Sequence, residues 1–553
     1  MNPEKKAEFK RTIEDMFEEF MEFDPTWATY FGIHKYDSLM PDGSKGALEN
    51  WKNTLKSYKE QLENFREADL DSTSIDLQLA RDIIDLELFD LEEWKIWSKF
   101  PEGPEKVGDG LFLLLARDYP PAKKRMKALS ERVNRSVQFL EETKERLEDP
   151  VKIYCRIALE STRRLPRFLS HILEEAKKYL KNNELNLLKK RIERLEEKLE
   201  DYESWLEYKM QDARKDFAIG HDMLERRLEL RGIEMGVDSI LKLGQVYLQK
   251  EKKKLNRLAR RIDANKSVEE ITRELKKNHP QSFSEALEEY RKEISRARNF
   301  VKKRNFASLP QNEELKVQET PHFLRHVTPF AAYFRPAKFD KNQIGIYMVT
   351  PPENEEMMKE HNYCSISNTS IHEAYPGHHL QLTLANQHPS LIRLLSEGTE
   401  FVEGWAHYCE EAVKNLGYND TPEHRFLQTL DLVWRAARII VDIRLSCGEM
   451  SFEEAVNFLV EQTGMEREGA EAEVKRYTYT PGGPLSYLLG KHLIEKIREE
   501  IEEKLGSDFE LKWFHDMMLK NGAIPIKYLR GILKEEVNQK LIQTGKKSHT
   551  NNI

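Results

Sequence analysis

The chain has 553 residues, with 88 Lys and Arg against 96 Asp and Glu, so its formal charge is −8, and 39% of its residues are hydrophobic. This balance argues against a nucleic-acid-binding protein, which would carry a basic excess on at least one domain. The densest apolar run, Leu111 to Ala116, is far shorter than the roughly 18 residues that a membrane span requires. We therefore expect neither nucleic acid nor membrane as a partner.

The N-terminus and the cysteines both bear on the cellular compartment. After Met1 the sequence enters a charged amphipathic pattern without the apolar region of a secretory signal peptide. The cysteines are isolated and none forms a Cys-x-x-Cys pair: Cys155, Cys364, Cys409 and Cys447. Neither a disulfide framework nor a cysteine zinc site is indicated, and we expect a cytoplasmic protein.

Helical patterns dominate from Pro3 to about Ala307. In the clearest one, apolar side chains recur at alternating spacings of four and three, and the other faces carry Lys, Arg and Glu. The members of this stripe are Leu188, Ile192, Leu195, Leu199, Tyr202 and Leu206. Because the repeat is short, it favours a helical hairpin packed within the chain over a coiled-coil oligomer. The oligomeric state stays open.

Helical periodicity ends near Ser308 and resumes at Ser367. Between them, Gln343 to Thr350 is β-branched and aromatic with turn residues on both sides, which predicts a strand. The sequence thus predicts a mainly α-helical fold with one small β-sheet beside the helices that carry the most reactive residues. We expect a helical N-terminal region, 1–307, and a second region, 308–553, in one continuous body.

Three histidines and a glutamate lie within residues 371–381, and an acidic helix follows them. Two imidazoles and one carboxylate form the ligand set of a catalytic zinc site whose fourth position is open to water. A glutamate directly after the first histidine can take a proton from that water, as in helical zinc proteases. We assign one Zn²⁺ per chain to His372, His378 and Glu403, and the role of general base to Glu373.

The second histidine ligand is ambiguous from the residues alone. At about 100° per residue, a regular helix places His379 about 20° from His372 and His378 about 120° away. However, Pro376 and Gly377 interrupt a regular helix, and a bulge there would swing His378 back toward the metal. Helix geometry leaves both histidines as candidates.

The string His-Glu-x-x-Pro-Gly-His-x-x-Gln at residues 372–381 resembles the signature of the bacterial and archaeal family called domain of unknown function 885. Three further stretches, spread over nearly the whole chain, are similar to that family as well: Asp24–Ile33, Glu403–Tyr408 and Arg476–Lys491. The family is placed among the zincin-like metallopeptidases. The resemblance therefore implies a zincin-like fold and a zinc-dependent peptidase.

The resemblance also bears on individual residues. In the family pattern the histidine after Pro-Gly is the fixed one, which favours His378 over His379. The stretch from Phe401 to Gly404 is similar to the second zinc helix of thimet-oligopeptidase-like enzymes, which supports Glu403. One position departs from the pattern: the family often has a histidine in an Asp-x-x-Leu-His stretch where this chain has Ser446.

A hydrolase of this type needs a donor for the oxyanion that develops opposite the metal. Tyr487 is our candidate, because the preceding Pro-Gly-Gly-Pro turn sets the start of its helix; Tyr477 and Tyr479 are alternatives. Arg476 and Lys491 are candidates for binding a substrate carboxylate. A structural role for each of these residues is an equally open interpretation.

The predicted strand around Gly345 to Met348 has two interpretations. It is either an exposed edge that pairs with an extended peptide beside the metal or an ordinary structural strand. The pattern does not decide between them.

Together these features favour a zinc-dependent peptidase that hydrolyses short peptides or chain ends. We expect the N-terminal helical region to wall a deep cleft, as in the oligopeptidases that the catalytic half resembles. Two alternatives remain: a non-haem iron enzyme that uses the same two-histidine, one-carboxylate site, and a non-catalytic helical scaffold stabilised by a metal.

Overall fold

The structure is a computed structural model, and it describes residues 3–543 except for 71–73, 118, 120, 321–324, 326–330 and 397. The chain forms two compact units. The first comprises Met1–Ala218 together with Ala337–Lys341, and the second comprises Ile219–Pro336 and Asn342–Ile553. The residue-308 boundary expected from the sequence lies inside the second unit, where the chain passes from a helix to the first strand.

The first unit is built from helices. They are α1 (Pro3–Phe23), α2 (Pro25–Phe31), α3 (Lys45–Leu62), α4 (Glu67–Leu70), α5 (Ser74–Phe89), α6 (Gly103–Ala116), α7 (Ala122–Arg146), α8 (Lys152–Ala176) and α9 (Asn183–Asp212). The apolar stripe predicted between residues 188 and 206 is buried along α9, which packs against α7 and α8. The expected packing of this helix within the chain is thus confirmed, since burial of an apolar stripe is what stabilises such a helix.

The stretch Asp24–Ile33 contains the residues that cap α2 at both ends. The Asp24 carboxylate accepts a hydrogen bond from the backbone N–H of Thr26 at 3.0 Å, which caps the helix. Gly32 ends the helix with a φ of 90°, a left-handed conformation that favours glycine. The carbonyl of Phe31 accepts a hydrogen bond from the backbone N–H of Phe339 at 3.0 Å, so this stretch also anchors the segment Ala337–Lys341.

The second unit contains helices and a small sheet. Its strands are β1 (Glu313–Glu319), β2 (Ala331–Phe334) and β3 (Gln343–Val349). Its helices are α10 (His221–Leu230), α11 (Val237–Ile262), α12 (Val268–Lys277), α13 (Phe283–Lys303), α14 (Glu355–Met358), α15 (Tyr363–Glu373), α16 (His378–Ala385), α17 (Ile392–Leu395), α18 (Thr399–Asn415), α19 (Pro422–Cys447), α20 (Phe452–Thr463), α21 (Arg467–Tyr479), α22 (Ser486–Leu505), α23 (Leu511–Leu519) and α24 (Ile526–Gln543). Packing of α11 on α19 and of α18 on α22 forms its centre.

The sheet has the strand order β1-β3-β2, with β1 parallel and β2 antiparallel to β3. The strand predicted from residue 343 onward is confirmed as β3. The interpretation of Gly345 to Met348 as an exposed edge is wrong, because Leu315 of β1 pairs with Gly345 and Ala332 of β2 pairs with Met348. A central strand has neighbours on both sides and leaves no backbone edge for a peptide.

Two glycines set the closest helix contact in the second unit. A Cβ atom on Gly404 of α18 would lie 2.3 Å from the carbonyl carbon of Gly490 in α22. A Cβ atom on Gly490 would lie 1.7 Å from the carbonyl oxygen of Glu400. Only glycine allows the two backbones to approach this closely. The contact therefore brings together α18, which carries Glu403, and α22, which carries Tyr487.

We expect Gly490→Ala to destabilise the protein by about 3 kcal/mol, because the added methyl overlaps backbone atoms that cannot rotate away. Thermal or denaturant unfolding measures this change. Gly531→Ala is the matched control: it lies in α24, and an added Cβ meets no atom within 4 Å. It should leave stability unchanged or raise it by up to about 1 kcal/mol. Equal unfolding midpoints for the two variants would contradict the close-contact argument.

Candidate metal centre

The turn between α15 and α16 folds back on the helix that it leaves. Helix α15 ends at Glu373, the Tyr375–Pro376 peptide is cis, and α16 begins at His378. The N–H of Gly377 donates to the carbonyl of Ile371 at 3.0 Å. A Cβ atom on this glycine would lie 1.8 Å from the carbonyl oxygen of residue 372, so only glycine fits this turn.

The indole of Trp405 ties the same turn to α18. Its Nε1–H donates to the carbonyl of Pro376 at 2.8 Å, and the indole is buried. Because Glu403 lies two residues before this tryptophan, the hydrogen bond fixes the turn against the helix that carries the acidic residue. The turn that joins α15 to α16 is thereby held in a fixed position against α18.

Three side chains converge at this place. The Nε2 atoms of His372 and His378 lie 3.7 and 3.6 Å from Oε2 of Glu403. The three donor atoms all lie within 4.8 Å of one another. Tetrahedral zinc with bonds of about 2.0–2.1 Å separates its donor atoms by about 3.4 Å, so the donor set and its spacing fit a divalent ion.

Glu410 orients the first of these histidines. Its Oε1 atom lies 2.8 Å from Nδ1 of His372, and a carboxylate can only accept a hydrogen bond. The Nδ1–H of this histidine therefore donates to Glu410, and Nε2 faces Glu403; a metal there would bind Nε2 in place of its proton. A carboxylate behind a histidine ligand is the usual support of a protein metal site.

His407 approaches the same oxygen of Glu410, and its ring centroid lies 4.6 Å from that of His372. His372, His407 and Glu410 form a second group whose donor atoms lie within 4.8 Å of one another. The Nε–H of Arg435 donates to Nε2 of His407 at 3.1 Å, and Nδ1 of the same ring lies 3.1 Å from Oε1 of Glu410. A guanidinium in hydrogen-bond contact disfavours a metal at this second group, so His407 supports Glu410.

The charges at the centre attract a cation. Burial lowers the pKa of His372, but the carboxylates of Glu403 and Glu410, with a contribution from Glu373, outweigh it and raise that pKa to about 10. Burial raises the pKa of Glu403, yet the two facing histidines hold it well below its usual range. The site thus places the carboxylates of Glu403 and Glu410 beside imidazoles that can lose a proton. Such an arrangement favours the binding of a divalent cation.

His379, the alternative ligand, lies elsewhere. Its Nε2 is 2.8 Å from Oε2 of Glu313 in β1, and its Nδ1 is 3.0 Å from the hydroxyl of Tyr333 in β2. A Cβ atom on Gly345 of β3 would lie 2.5 Å from Nδ1, so the imidazole packs directly on the sheet. Both ring nitrogens are engaged, and the structure brings His378, not His379, to the candidate metal centre.

Glu373 follows His372 at the end of α15 and is half-buried. Among the residues that the structure describes, no hydrogen-bond or ion-pair partner holds its carboxylate. Its charge reaches the buried tyrosines Tyr290 and Tyr347, where it adds to the effect of burial in raising their pKa values. A carboxylate beside a metal ligand and without a partner is available to accept a proton.

Tyr487 lies in the first turn of α22, beside the centre. Its ring centroid is 5.9 Å from that of His407, and burial, followed by the charge of Glu403, raises its pKa. Within the described part of the chain no group hydrogen-bonds its hydroxyl. The alternative Tyr477 is already engaged, since its hydroxyl donates to Glu473 at 2.6 Å and accepts from Arg438 at 2.7 Å. Tyr479 is half-buried at the end of α21.

Asp442 holds the turn that precedes Tyr487. Its two carboxylate oxygens accept hydrogen bonds from the N–H groups of Gly482 and Leu485, each at 3.0 Å. Burial raises the pKa of Asp442 to about 6 despite these donors. Ser446, the position that departs from the family pattern, accepts the N–H of Ile219 at its backbone carbonyl at 3.0 Å.

The two predicted substrate-binding cations have different surroundings. Arg476 keeps a side chain that is 36% exposed and donates to Glu473 at 3.0 Å. Lys491 is only 3% exposed, and its ammonium pairs with Glu411 at 2.8 Å and also with Glu495. Two carboxylates thus neutralise Lys491 inside the protein, and the structure does not bring it to the metal centre.

Sequence reasoning missed the roles of Glu410, Arg435 and Asp442. A signal for Glu410 exists: it lies seven residues after Glu403, two helical turns along the same face. Asp442 begins the stretch that is similar to the family's Asp-x-x-Leu-His pattern. Nothing in the local sequence marks Arg435, because its partner His407 lies on another helix.

The fold and the centre define a class: a mainly α-helical protein with one small sheet and a two-histidine, one-glutamate cluster at a broken helix. The chain belongs to the family described as bacterial protein of unknown function (DUF885), whose profile matches residues 25–533. The resemblance noted from the sequence is thereby confirmed at the level of the family. The sequence has no significant match among curated proteins.

Two solved structures share the fold. One, a putative lipoprotein of unknown function from Shewanella oneidensis, is 22% identical with a TM-score of 0.79, over 95% of this chain and 99% of that one. The other, a putative lipoprotein from Colwellia psychrerythraea, is 20% identical with a TM-score of 0.84, over 97% and 99%. In the described part of this chain, no helix has the length and apolar character to cross a membrane.

The neighbouring histidines offer a direct test of the centre. We expect His378→Ala to weaken zinc binding by at least about 100-fold, because one of three protein ligands is lost. His379→Ala removes contacts to the sheet only, and the zinc affinity should stay within about threefold of the original. Competition with a chromogenic chelator measures both affinities. The reverse order of effects would assign the metal to His379.

Proposed function

We propose that this protein is a zinc-dependent peptidase that hydrolyses short peptides or chain ends. One observation carries the proposal: Nε2 of His372, Nε2 of His378 and Oε2 of Glu403 face one another within 4.8 Å, next to a carboxylate, Glu373, that has no partner among the described residues. Three protein donors leave a coordination position open, which is the pattern of catalytic and not of structural zinc. The substrate class rests on the resemblance to oligopeptidases.

Each of the residues that would hold the metal has a defined task. His372, His378 and Glu403 would bind it, and Glu410 keeps the first histidine in the tautomer that offers Nε2. Zinc in such a site polarises the scissile carbonyl and lowers the pKa of water.

Glu373 and Tyr487 supply the remaining chemistry. The Glu373 carboxylate takes a proton from the attacking water and passes it to the leaving amine. The Tyr487 hydroxyl donates a hydrogen bond to the carbonyl oxygen as negative charge develops there. Because its pKa is raised, Tyr487 keeps its proton at neutral pH and remains a donor.

Two other functions use the same residues. Non-haem iron oxygenases share the ligand set, but their sites do not call for a glutamate next to the first histidine. A metal-stabilised scaffold would close the coordination sphere with protein donors, and His407, whose ring lies 4.6 Å from that of His372, is engaged by Arg435. Stoichiometric iron with oxygen consumption, or a metal-loaded protein that turns over no peptide, would favour one of these instead.

Glu373→Gln tests the general base. The amide keeps the shape of the side chain but cannot accept the proton, so we expect hydrolysis of a peptide library to fall by at least about 10³-fold while bound zinc stays at one per chain. Mass spectrometry of the peptides and metal analysis of the same sample measure the two quantities. Undiminished hydrolysis would remove Glu373 from the mechanism.

Tyr487→Phe tests the oxyanion donor. We expect kcat to fall about 10²–10³-fold with KM nearly unchanged, because the hydroxyl is used only as charge develops in the transition state. Tyr202→Phe is the control, since this tyrosine is buried within the first unit and is not part of the metal centre. An equal loss in both variants would indicate general destabilisation.

A further inference from the structure

Helix α19 carries a group of buried donors without acceptors. Nη1 of Arg435, Nη1 of Arg438 and Nε1 of Trp434 are each inaccessible to solvent, and no hydrogen-bond partner for them exists among the described residues. Arg438 as a whole is 4% exposed. Burying a polar group without a partner costs about 1–3 kcal/mol, and more for a charged group. The three donors call for an acceptor that the described part of the chain does not supply.

The three side chains form one stack. The guanidinium carbons of Arg435 and Arg438 lie 3.9 and 4.1 Å from the Trp434 ring centroid. They also lie 5.4 and 4.6 Å from the ring centroid of Tyr487, the proposed oxyanion donor. The arrangement follows from the sequence, since positions 434, 435 and 438 are neighbours on one side of a helix. Aromatic contacts hold both guanidinium groups in place.

The carboxylates around this stack leave part of its donor capacity unused. Arg438 and Arg476 share a single carboxylate, Glu473, at 2.8 and 3.0 Å. Arg435 donates to the neutral ring of His407, and among the described residues no carboxylate hydrogen-bonds it. Asp431 and Glu410 attract the Arg435 guanidinium through their charge without bonding to it. Guanidinium donors that lack an acceptor attract an anion.

We infer that Arg435, Arg438 and Trp434 form a carboxylate-binding site that receives the free C-terminal carboxylate of a peptide. Arginine is the residue that binds carboxylates in a forked, charge-assisted manner. The site adjoins the metal centre, because Arg435 contacts His407 and Arg438 packs on Tyr487. The inference rests on the proposed peptidase function, and it predicts a peptidase that cleaves near the C-terminus of its substrate. It assigns to Arg435 and Arg438 the role that sequence reasoning gave to Arg476 and Lys491.

The test measures binding and needs no turnover. Zinc-loaded Glu373→Gln protein is titrated by calorimetry with an N-acetylated tetrapeptide, with its C-terminal amide, and with an amide whose last residue is Glu. We expect the free acid to bind at least about tenfold more tightly than the amide, since charge-assisted hydrogen bonds are lost in the amide. Tight binding of only the Glu-containing amide would assign the site to an acidic side chain. Equal affinity for all three peptides, or no binding, would overturn the inference.

A substitution identifies the residues. Adding Arg438→Gln should abolish the preference for acid over amide. Arg425→Gln, a substitution on the same helix that removes a charge paired with Asp420, should keep that preference. A preference that survives Arg438→Gln would exclude the stack. Because the acid–amide comparison uses an unaltered stack, it stands even if Arg438→Gln fails to fold. Hydrolysis by the unmutated protein is scored separately: acid-selective binding without cleavage would refute the peptidase and leave the carboxylate site.

Discussion

The contact of the Gly377 backbone with the carbonyl of His372 is the constraint on which the metal centre depends. A side chain at this glycine has no room, since its Cβ would lie 1.8 Å from that oxygen. The turn therefore returns the chain to the end of the helix that it has left. His378 then projects toward His372 instead of continuing around a helix. The hydrogen bond from Trp405 to the carbonyl of Pro376 holds this turn against α18, the helix that carries Glu403.

From the candidate metal centre a row of polar contacts leads into the second unit. Glu410 accepts from His372 and lies beside His407, which in turn accepts from Arg435. Glu410 and His407 are buried, and the four side chains lie on helices packed into the second unit. Rigid supports of this kind are what hold ligands in a productive arrangement. The same row connects the candidate metal centre with the arginine stack on α19.

The helical fold could be predicted from the spacing of apolar residues. The stripe along α9 is buried where the pattern predicts it, because its spacing follows the helical period of about 3.6 residues. The strand β3 is found where β-branched and aromatic residues lie between turn residues, and it is buried continuously from Gly345 to Val349. The strands that pair with β3 could not be predicted from the sequence. Strands β1 and β2 pair with it across the chain, and this non-local pairing made β3 the centre of the sheet and not its edge.

For the site, the sequence by itself determined the residue types and the place of the helix break: His372, one of the two histidines after Pro-Gly, Glu403 and a glutamate next to the first histidine. Only the tertiary structure decided between His378 and His379, because that choice depends on a turn in which the backbone touches the preceding helix and on a sheet that occupies both nitrogens of His379. It also decided that two carboxylates pair with Lys491, whereas Nη1 of Arg435 and Nη1 of Arg438 have no hydrogen-bond partner among the described residues. Charge pairing between helices far apart in the chain depends on their packing, and no local pattern encodes it.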